Sequence, residues 1–356
     1  MERRVDTLVI CDGGRKDKYG FDAAYIPIRG IPIIGYSIRT GVQSKHIKRI
    51  YVYSDYEEKV LGIAKEMFSD EKRLKIVDSN TYINEAGACF KFLRVLPAET
   101  KLAMSISKTF YRYIVNDLPG VERFSGDWSN ADNLSKYLQK NPYVRELPVA
   151  FMGNDQPLSL AADLDDMIEA YSKESCDSLI GYTKKAVLSG YLSRSCTSIG
   201  EFHSTLKKND FIDGSWMRHN CFFVLKWGKM DDRLLDVISY YNQHRVQSKL
   251  PNFVLVLLRI ISKYLGKGPE IANALRIAFF FAIGKYFKSF NNSRVRWLVT
   301  KNVNSGKIVE CSGRLVGHKI AIFPDGTARS VIDIDDAKDV APVSRLLSLR
   351  AEGLLD

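Results

Sequence analysis

The amino-acid sequence predicts an α/β protein built on a doubly wound, mostly parallel sheet with a helical insertion. Short apolar runs of strand length alternate with amphipathic helical patterns, which is typical of a parallel sheet covered by helices on both faces. The strand-like runs are TLVIC at 7–11, RIYVYS at 49–54, LKIV at 74–77, PVAFM at 148–152 and DSLIGYT at 177–183. The helical patterns are IPIIGYSIRTGV, YEEKVLGIAKEMF, INEAGACFKFLRVL at 83–96, and the apolar spacing of Leu164, Met167, Ile168 and Tyr171.

Two segments interrupt this order. Residues 97–147 are polar and aromatic and indicate an insertion with one or two helices, whereas residues 230–300 are apolar and helical in pattern. Short strands are expected to return in GHKIAIFPDG and RSVIDIDD, at 317–336. We therefore expect a core of residues 1–229 plus 301–356, with the 97–147 insertion inside it, and a helical subdomain at 230–300.

Composition narrows the class of protein. A chain of 356 residues can bury a large core without cross-links. The six cysteines are scattered without metal-ligand spacing, which indicates a reducing, cytoplasmic setting. The formal net charge of +11 suits an acidic partner such as a nucleotide or a sugar phosphate. Because the basic residues are dispersed, a dedicated nucleic-acid-binding module is not expected.

The loop after the first strand, CDGGRKDKYG at 11–20, is a candidate phosphate-binding segment. Ligands of open parallel sheets bind beyond the carboxyl ends of the strands, and Gly13 and Gly14 would let backbone N–H groups approach a phosphate. Arg15, Lys16 and Lys18 would supply cations that neutralise a polyphosphate. The alternative is an ordinary exposed loop, because the segment has neither the P-loop nor the dinucleotide-binding spacing.

Carboxylates follow two other strand-like runs. Asp155 ends the apolar run in PVAFMGNDQPL, where a carboxylate can hold Mg²⁺, which binds oxygen ligands and takes only one or two protein carboxylates. In SVIDIDDAKDV, strand alternation would send Asp333 and Asp335 to one face, where they could share a metal. The alternatives are capping roles, for Asp155 before the next helix and for Asp335 or Asp336 before a helix near Ala337.

Five segments, in chain order, carry a resemblance to a known family: TLVICDGGRK, AAYIPIRGIPIIGYSI, FMGNDQPL, DGSWMRHNCFFV and VIDIDDAKDV. They resemble five successive motifs of the MobA-like NTP transferases. These motifs are the first strand with its Gly-rich nucleotide loop, the following turn and helix, the GDxPL metal strand, a strand with a substrate-facing Asn, and the closing DIDTPEDL motif. This family is related to molybdenum-cofactor guanylyltransferase and to the sugar-phosphate nucleotidyltransferases. The resemblance spans most of the chain.

The resemblance implies a Rossmann-like fold of the nucleotide-diphospho-sugar transferase type and a Mg²⁺-dependent transfer of NMP from an NTP to a small phosphorylated acceptor. It implies nucleotide contacts from Gly13, Gly14 and Arg15, metal binding by Asp155 with Asp335 or Asp333, and an acceptor contact from Asn220. We expect Arg15 and Lys16 or Lys18 to stabilise the departing pyrophosphate.

Two residues depart from the family pattern. Ala23 stands where the family commonly has a phosphate-binding Lys, and Asp12 stands where it usually has a small residue. One alternative is therefore a non-catalytic, nucleotide-binding member of the same fold. A second is peripheral membrane contact through the apolar runs at 253–258 and 277–284, which are shorter than a spanning helix and otherwise indicate buried helices.

Overall fold

The structure, a computed structural model, describes residues 4–12, 23–54, 56–78, 106–126, 131–198, 201–202, 216–230, 268–286, 299, 301, 305–334 and 337–355. Within these residues, seven strands form one sheet in the order β5-β4-β1-β6-β8-β7-β9, and β2 and β3 form a separate hairpin. The strands are β1 Thr7–Asp12, β2 Pro27–Ile28, β3 Ile31–Pro32, β4 Arg49–Ser54, β5 Leu74–Asp78, β6 Pro148–Gly153, β7 Ser178–Lys184, β8 Trp216–Lys226 and β9 Ile320–Asp325.

The predicted mostly parallel α/β fold is confirmed. In the seven-stranded sheet β8 alone runs antiparallel, between β6 and β7, and the other pairings are parallel. The helices in the described part of the chain are α1 Ile33–Gln43, α2 Glu57–Phe68, α3 Ala131–Lys140, α4 Pro142–Arg145, α5 Ala161–Lys173, α6 Lys185–Ser193, α7 Gly268–Tyr286, α8 Ser305–Val316 and α9 Ala337–Ala351.

The two faces of the sheet bury alternate residues of each strand. On one face, Leu8 and Ile10 of β1 pack with apolar residues of α1, α2 and α5. On the other, Val9 and Cys11 pack with a helical segment at 106–117, with α3 and with α4. Because both faces are covered, β1, β4 and β6 are apolar along nearly their whole length rather than alternating in polarity. The sheet is therefore doubly wound.

The insertion at 97–147 contains more helix than the one or two helices expected from its composition. Its described part includes the 106–117 segment, which is a π-helix at Thr109–Ile114 and a 3₁₀ turn at Val115–Asp117, followed by α3 and α4. Aromatic side chains fill this layer, with Phe124 packed edge-on against Tyr137. The insertion thus covers the second face of the sheet.

Other predictions have mixed outcomes. The strand expected within 317–326 is confirmed as β9, but RSVIDIDD does not continue as a strand, because Arg329–Val331 is a 3₁₀ turn and 332–334 is extended backbone without strand pairing. The helix predicted at 83–96 lies outside the described residues.

In the predicted helical subdomain at 230–300, most of the described part is α7, and the domain boundaries stay a prediction. No helix in the described ranges has both the length and the apolarity needed to cross a membrane.

The winding of the sheet reverses between β1 and β6. The chain leaves β1 for β4 and β5 on one side and then crosses to β6 on the other, with α1 on one face and the 106–117 segment on the opposite face. In open α/β sheets, ligands bind at such a switch point, beyond the carboxyl ends of the strands. Asp12 ends β1, and the turn that carries Asp155 follows β6 directly.

Candidate functional site at the carboxyl edge of the sheet

The turn after β6 is fixed at both ends by α1. The hydroxyl of Ser37 donates a hydrogen bond to the carbonyl of Gly153 at 3.0 Å, and the hydroxyl of Thr40 donates to the carbonyl of Ser159 at 2.9 Å. Both bonds are buried, so they replace water as partners of the two carbonyls. The predicted metal ligand Asp155 is thus presented from a braced turn.

Asp155 does not cap the helix that follows it. That helix, α5, begins at Ala161, and its N-cap position is Leu160. The backbone N–H of Leu160 donates to a carboxylate oxygen of Asp163 at 2.9 Å, so the N-cap N–H has a partner from within the helix. Asp155 is therefore not the N-cap residue of α5; it lies in the turn between β6 and that helix, and its role as a metal ligand stays a prediction.

The closing acidic segment lies against this turn. The backbone N–H of Ile334 donates to the carbonyl of Asp155 at 3.0 Å, and the side-chain amide of Gln156 donates to the carbonyl of Ser330 at 3.0 Å. Asp333 is buried, with 5% of its surface exposed. Asp335 and Asp336 lie outside the described residues, and α9 begins at Ala337 as expected.

The segment that leads to Asp333 is held by a network of buried polar groups. Arg329 donates to both carboxylate oxygens of Asp163, at 2.6 and 3.1 Å, so that α5 anchors the 3₁₀ turn. Asp325, at the end of β9, accepts from the hydroxyls of Thr183 at 3.0 Å and Ser330 at 2.8 Å. Burial alone would lower the pKa of Arg329, but its hydrogen bonds to Asp163 raise that pKa above its ordinary value.

A second network surrounds Asp12, which is 1% exposed. Its carboxylate accepts hydrogen bonds from the hydroxyl of Tyr25 at 2.5 Å, from the hydroxyl of Ser54, and from the side-chain amide of Asn154 at 2.6 Å. Sequence reasoning noticed Asp12 only as a departure from a family pattern. It missed Tyr25, Ser54 and Asn154, although the position of Asn154 beside Asp155 was an available signal.

Several predicted residues cannot be placed in this site. Gly13, Gly14, Arg15, Lys16 and Lys18 lie outside the described residues. Asn220 is placed by its backbone alone, three residues before Phe223, which pairs with Phe151 of β6. It falls where the β7–β8 register shifts, between the pairs Ile180–Phe223 and Tyr182–Arg218. Such irregularities often occur beside binding sites, where they change the direction of a side chain.

The acidic residues of the site have the chemistry that Mg²⁺ requires. Mg²⁺ prefers oxygen ligands and is usually held by one or two protein carboxylates, with water and substrate phosphates completing its shell. Asp155 and the segment of Asp333 provide two such carboxylates at one edge of the sheet. Across the described part of the chain, no group of three or more His, Cys, Asp or Glu residues is arranged to hold a metal by itself. A protein-only metal cage is therefore not present there.

The fold and the position of these residues define an α/β protein whose polar groups gather at the switch point of a mostly parallel sheet. No protein-family model and no curated protein matches the chain. It is similar to a solved structure described as a hypothetical transferase from Thermus thermophilus, with a TM-score of 0.46 and 10% identity over 94% of this chain and 100% of that one.

A second similar structure is described as 4-diphosphocytidyl-2C-methyl-D-erythritol synthase from Anaerococcus prevotii. The TM-score is 0.41 and the identity 9%, over 97% of this chain and 96% of the other. At this level of similarity, the function of the chain has to be inferred from the residues of its own site.

Proposed function

We propose that this protein is a Mg²⁺-dependent nucleotidyltransferase of the MobA-like type, which transfers NMP from an NTP to a small phosphorylated acceptor such as a sugar, polyol or cofactor phosphate. The observation that carries the proposal is the backbone hydrogen bond from Ile334 to Asp155. It joins the backbone of Asp155, at the end of β6, to the segment that leads to Asp333 and Asp335, at the edge of the sheet where α/β proteins bind ligands.

In the proposed reaction, an oxygen of the acceptor phosphate attacks the α-phosphorus of the NTP. The bond from that phosphorus to the β-phosphate oxygen breaks, and the electron pair leaves with pyrophosphate. Asp155 with Asp335 or Asp333 would hold Mg²⁺, which when bound offsets the negative charge on the reacting phosphates. Arg15, with Lys16 or Lys18, would stabilise the pyrophosphate as charge develops on it.

The other residues of the site bind and orient the reactants. Gly13 and Gly14 would bring backbone N–H groups to the NTP phosphates, and Asn220 would contact the acceptor from β8. Holding two charged reactants in line can supply several kcal/mol of the rate enhancement, about 7–11 in well-oriented cases. A turn braced from both ends by α1 suits such a role, because it holds Asp155 in one place.

The direct test is pyrophosphate release from each of the four NTPs, mixed with a panel of sugar and polyol phosphates, with Mg²⁺ and with EDTA. Asp155→Asn should lower the rate by roughly 100-fold or more. Even the loss of a residue that only hydrogen-bonds to a metal ligand typically lowers metal affinity or activity by about 10- to 100-fold. Asp166→Asn, an exposed Asp on α5, is the matched control and should retain activity. An unchanged rate in Asp155→Asn contradicts the proposed metal site.

A thermal-shift screen of the four NTPs with and without Mg²⁺ separates an enzyme from a non-catalytic nucleotide-binding protein. A ligand that binds only the folded state raises the melting temperature with its concentration. A Mg²⁺-dependent shift together with pyrophosphate release supports the transferase. A shift that is independent of Mg²⁺, without release for any acceptor, favours the non-catalytic alternative, which the substitution of Ala23 for the family Lys also suggests.

Contact with a membrane surface is a second candidate function, favoured by the exposed apolar residues of α7. Leu275 is 38% and Phe279 is 61% exposed on this helix. Apolar side chains exposed on a helix surface can insert at a lipid interface. Co-sedimentation with vesicles that is abolished by Leu275→Ser/Phe279→Ser would support it, and equal sedimentation of the variant would rule out this face.

A further inference from the structure

Asp12 is a buried carboxylate that the proposed chemistry does not use. It lies opposite Ser54 in the β1–β4 register, and Ser54 Oγ donates to Asp12 Oδ2. The same Oδ2 accepts from the Tyr25 hydroxyl at 2.5 Å, and Oδ1 accepts from Nδ2 of Asn154 at 2.6 Å. The donors are 13, 42 and 142 residues away along the chain. One side chain therefore joins four segments at the carboxyl edge of the sheet.

Two of these donors lie where the site depends on them. Tyr25 follows residues 13–22, so its bond to Asp12 connects the residues on either side of the predicted phosphate-binding segment. Asn154 immediately precedes Asp155, so its bond to Asp12 fixes the residue next to the predicted metal ligand. The end of β1, the segment of Tyr25 and the turn that carries Asp155 are thus joined through one carboxylate.

The donors are themselves held by other contacts. The Tyr25 ring packs edge-on against Tyr56, with ring centroids 5.7 Å apart, and the ammonium group of Lys59 lies 3.9 Å from the Tyr25 centroid. Asn154 follows Gly153, whose carbonyl accepts the buried bond from Ser37. Side chains that are fixed on both sides of a hydrogen bond transmit position well, because neither partner can move to relieve a change in the other.

We propose that Asp12 is a positioning residue, whose carboxylate fixes the turn that carries Asp155 relative to the end of β1 and to Tyr25, through the hydrogen bonds it accepts from Tyr25 and Asn154. The kinetic consequence of this inference rests on the proposed function, whereas its structural consequence does not. Asp12 contacts neither substrate nor metal in this role. What it provides is a pair of acceptor oxygens, one for the hydroxyls of Tyr25 and Ser54, which also contact each other at 3.0 Å, and one for the amide of Asn154.

This role makes the chemistry of the substituted side chain decisive. Asp12→Val keeps a similar volume but removes both acceptors, which leaves the donors of Tyr25, Ser54 and Asn154 without this partner. Asp12→Asn removes the charge but keeps one oxygen for the amide of Asn154, and its own NH₂ can donate to the two hydroxyl oxygens. A positioning residue should tolerate Asn and fail as Val, whereas a metal ligand should fail in both.

The experiment measures amide hydrogen exchange in peptides covering 148–158, unfolding by urea, and pyrophosphate release in the full chain. Asp12→Val should raise exchange in the turn at 153–156 by roughly tenfold or more and lower kcat by a similar factor, with a smaller change in KM for the NTP. Asp12→Asn should remain within a few-fold of wild type in both measurements, with an unchanged dependence on Mg²⁺ concentration.

Asp165→Val is the matched control. Asp165 is a buried carboxylate that accepts from the hydroxyl of Ser44 at 2.5 Å, near the amino ends of the strands. Its loss should lower stability without changing exchange at 153–156 or kcat. If Asp12→Val does not fold, Tyr25→Phe and Asn154→Leu can replace it, because each removes one hydrogen-bond donor to Asp12. Each should raise exchange at 153–156 and lower kcat, by less than Asp12→Val would.

Three results would overturn the inference: unchanged exchange at 153–156 in the Asp12→Val protein, an equal loss of kcat in Asp12→Asn, or the same exchange pattern in Asp165→Val. The inference and the proposed function fail in different ways. If wild-type protein releases no pyrophosphate from any substrate pair, the proposed function is wrong, while the exchange comparison still decides whether Asp12 positions the turn.

Discussion

Gln156 is a buried amide that connects the turn after β6 to the closing acidic segment. Its surface is 0% exposed, and its Nε2 donates to the carbonyl of Ser330 at 3.0 Å. Gln156→Leu keeps the volume but leaves that carbonyl without this donor, so we expect a loss of about 1–3 kcal/mol in the free energy of unfolding. Urea unfolding measures it.

The exposed Gln139 of α3 offers a control for this change. Gln139→Leu alters the same chemical group in contact with solvent, so its unfolding free energy should stay within about 0.5 kcal/mol of wild type. Equal stabilities of the Gln156→Leu and wild-type proteins would show that the bond to Ser330 does not hold the acidic segment in place.

Asp333 and Asp335 can be separated by comparing stability with activity. Asp333 is buried, so Asp333→Asn should lower the unfolding free energy by about 1–3 kcal/mol as well as the rate. Asp335, which the family resemblance favours as the metal ligand, should on substitution by Asn lower the Mg²⁺-dependent rate by about tenfold or more, with little change in stability. Pyrophosphate release and urea unfolding of both variants check this, and full activity of Asp335→Asn would leave Asp333 as the metal ligand.

The sequence predicted part of this site. A carboxylate directly after an apolar strand is a local pattern, so the position of Asp155 just beyond β6 could be predicted from the residues that precede it, while its role as a metal ligand stays a prediction. The meeting of the Asp12 partners could not be predicted, because Tyr25, Ser54 and Asn154 come from distant segments, and only Asn154 carried a signal, its place beside Asp155. Their meeting depends on the strand order, which places the ends of β1, β4 and β6 side by side.

At the scale of elements, α8 is packed against the start of β9 through a glycine. A Cβ on Gly313 would lie 2.5 Å from the carbonyl oxygen of His318, a backbone atom that cannot move without shifting the start of β9. We expect Gly313→Ala to lower the unfolding free energy by about 1–3 kcal/mol, because the cost of this overlap outweighs the better helix propensity of Ala. Urea unfolding measures the change.

Gly62 of α2 is the matched control for this substitution, since a Cβ there meets nothing within 4 Å. Gly62→Ala should raise the unfolding free energy by about 0.5–1 kcal/mol, because Ala loses less backbone freedom on folding than Gly. Opposite signs for the two variants are expected. Stabilisation by both would mean that α8 can move away from β9 at little cost.

The elements were more predictable than their orientation. Runs such as TLVIC and RIYVYS are buried on both faces, and they form β1 and β4 as expected. The residues of a strand carry no information about its direction relative to its neighbours, so the antiparallel course of β8 could not be derived from WMRHNCFFVLK. In RSVIDIDD, alternation suggested a strand, but the bonds of Arg329 to Asp163 hold the start of the segment in a 3₁₀ turn.

For the molecule as a whole, an ion cluster at the amino edge of the sheet lies opposite the candidate site. Lys226, whose side chain is 2% exposed, contacts Glu146 at 2.7 Å and Asp177 at 3.1 Å. Lys229 contacts the same two acids at 2.6 and 2.9 Å. These residues lie before β6, before β7 and at the end of β8, so the cluster connects three neighbouring strands.

The cluster lowers the pKa of both acids. Burial alone would raise the pKa of Asp177, but hydrogen bonds from Lys229, from the backbone N–H of Lys319 and from Lys226 bring it well below the ordinary value. Burial acts in the same direction on Glu146, and hydrogen bonds from Lys226 and Lys229 lower its pKa. The folded protein therefore holds these carboxylates ionised at a lower pH than the unfolded chain does.

This difference predicts acid sensitivity. In the unfolded chain the two acids titrate near their ordinary pKa values of about 3.9 and 4.3. Their stabilisation is therefore fully present above about pH 5 and is lost as the pH falls through the lower pKa values of the folded state. The unfolding free energy from urea titrations should thus decrease from about pH 5 downward, and less steeply in Asp177→Asn, which cannot take up the proton.

The comparison between wild type and Asp177→Asn isolates the cluster from the other carboxylates of the chain, whose titration is common to both proteins. At neutral pH the variant should be less stable, because Lys226 remains buried with one acidic partner fewer. As the pH falls, the two stabilities should converge, since protonated Asp177 no longer offers a charge to Lys226. Parallel pH profiles with a constant offset would show that Asp177 has the same pKa in both states, and the ion cluster would then not be the source of acid sensitivity.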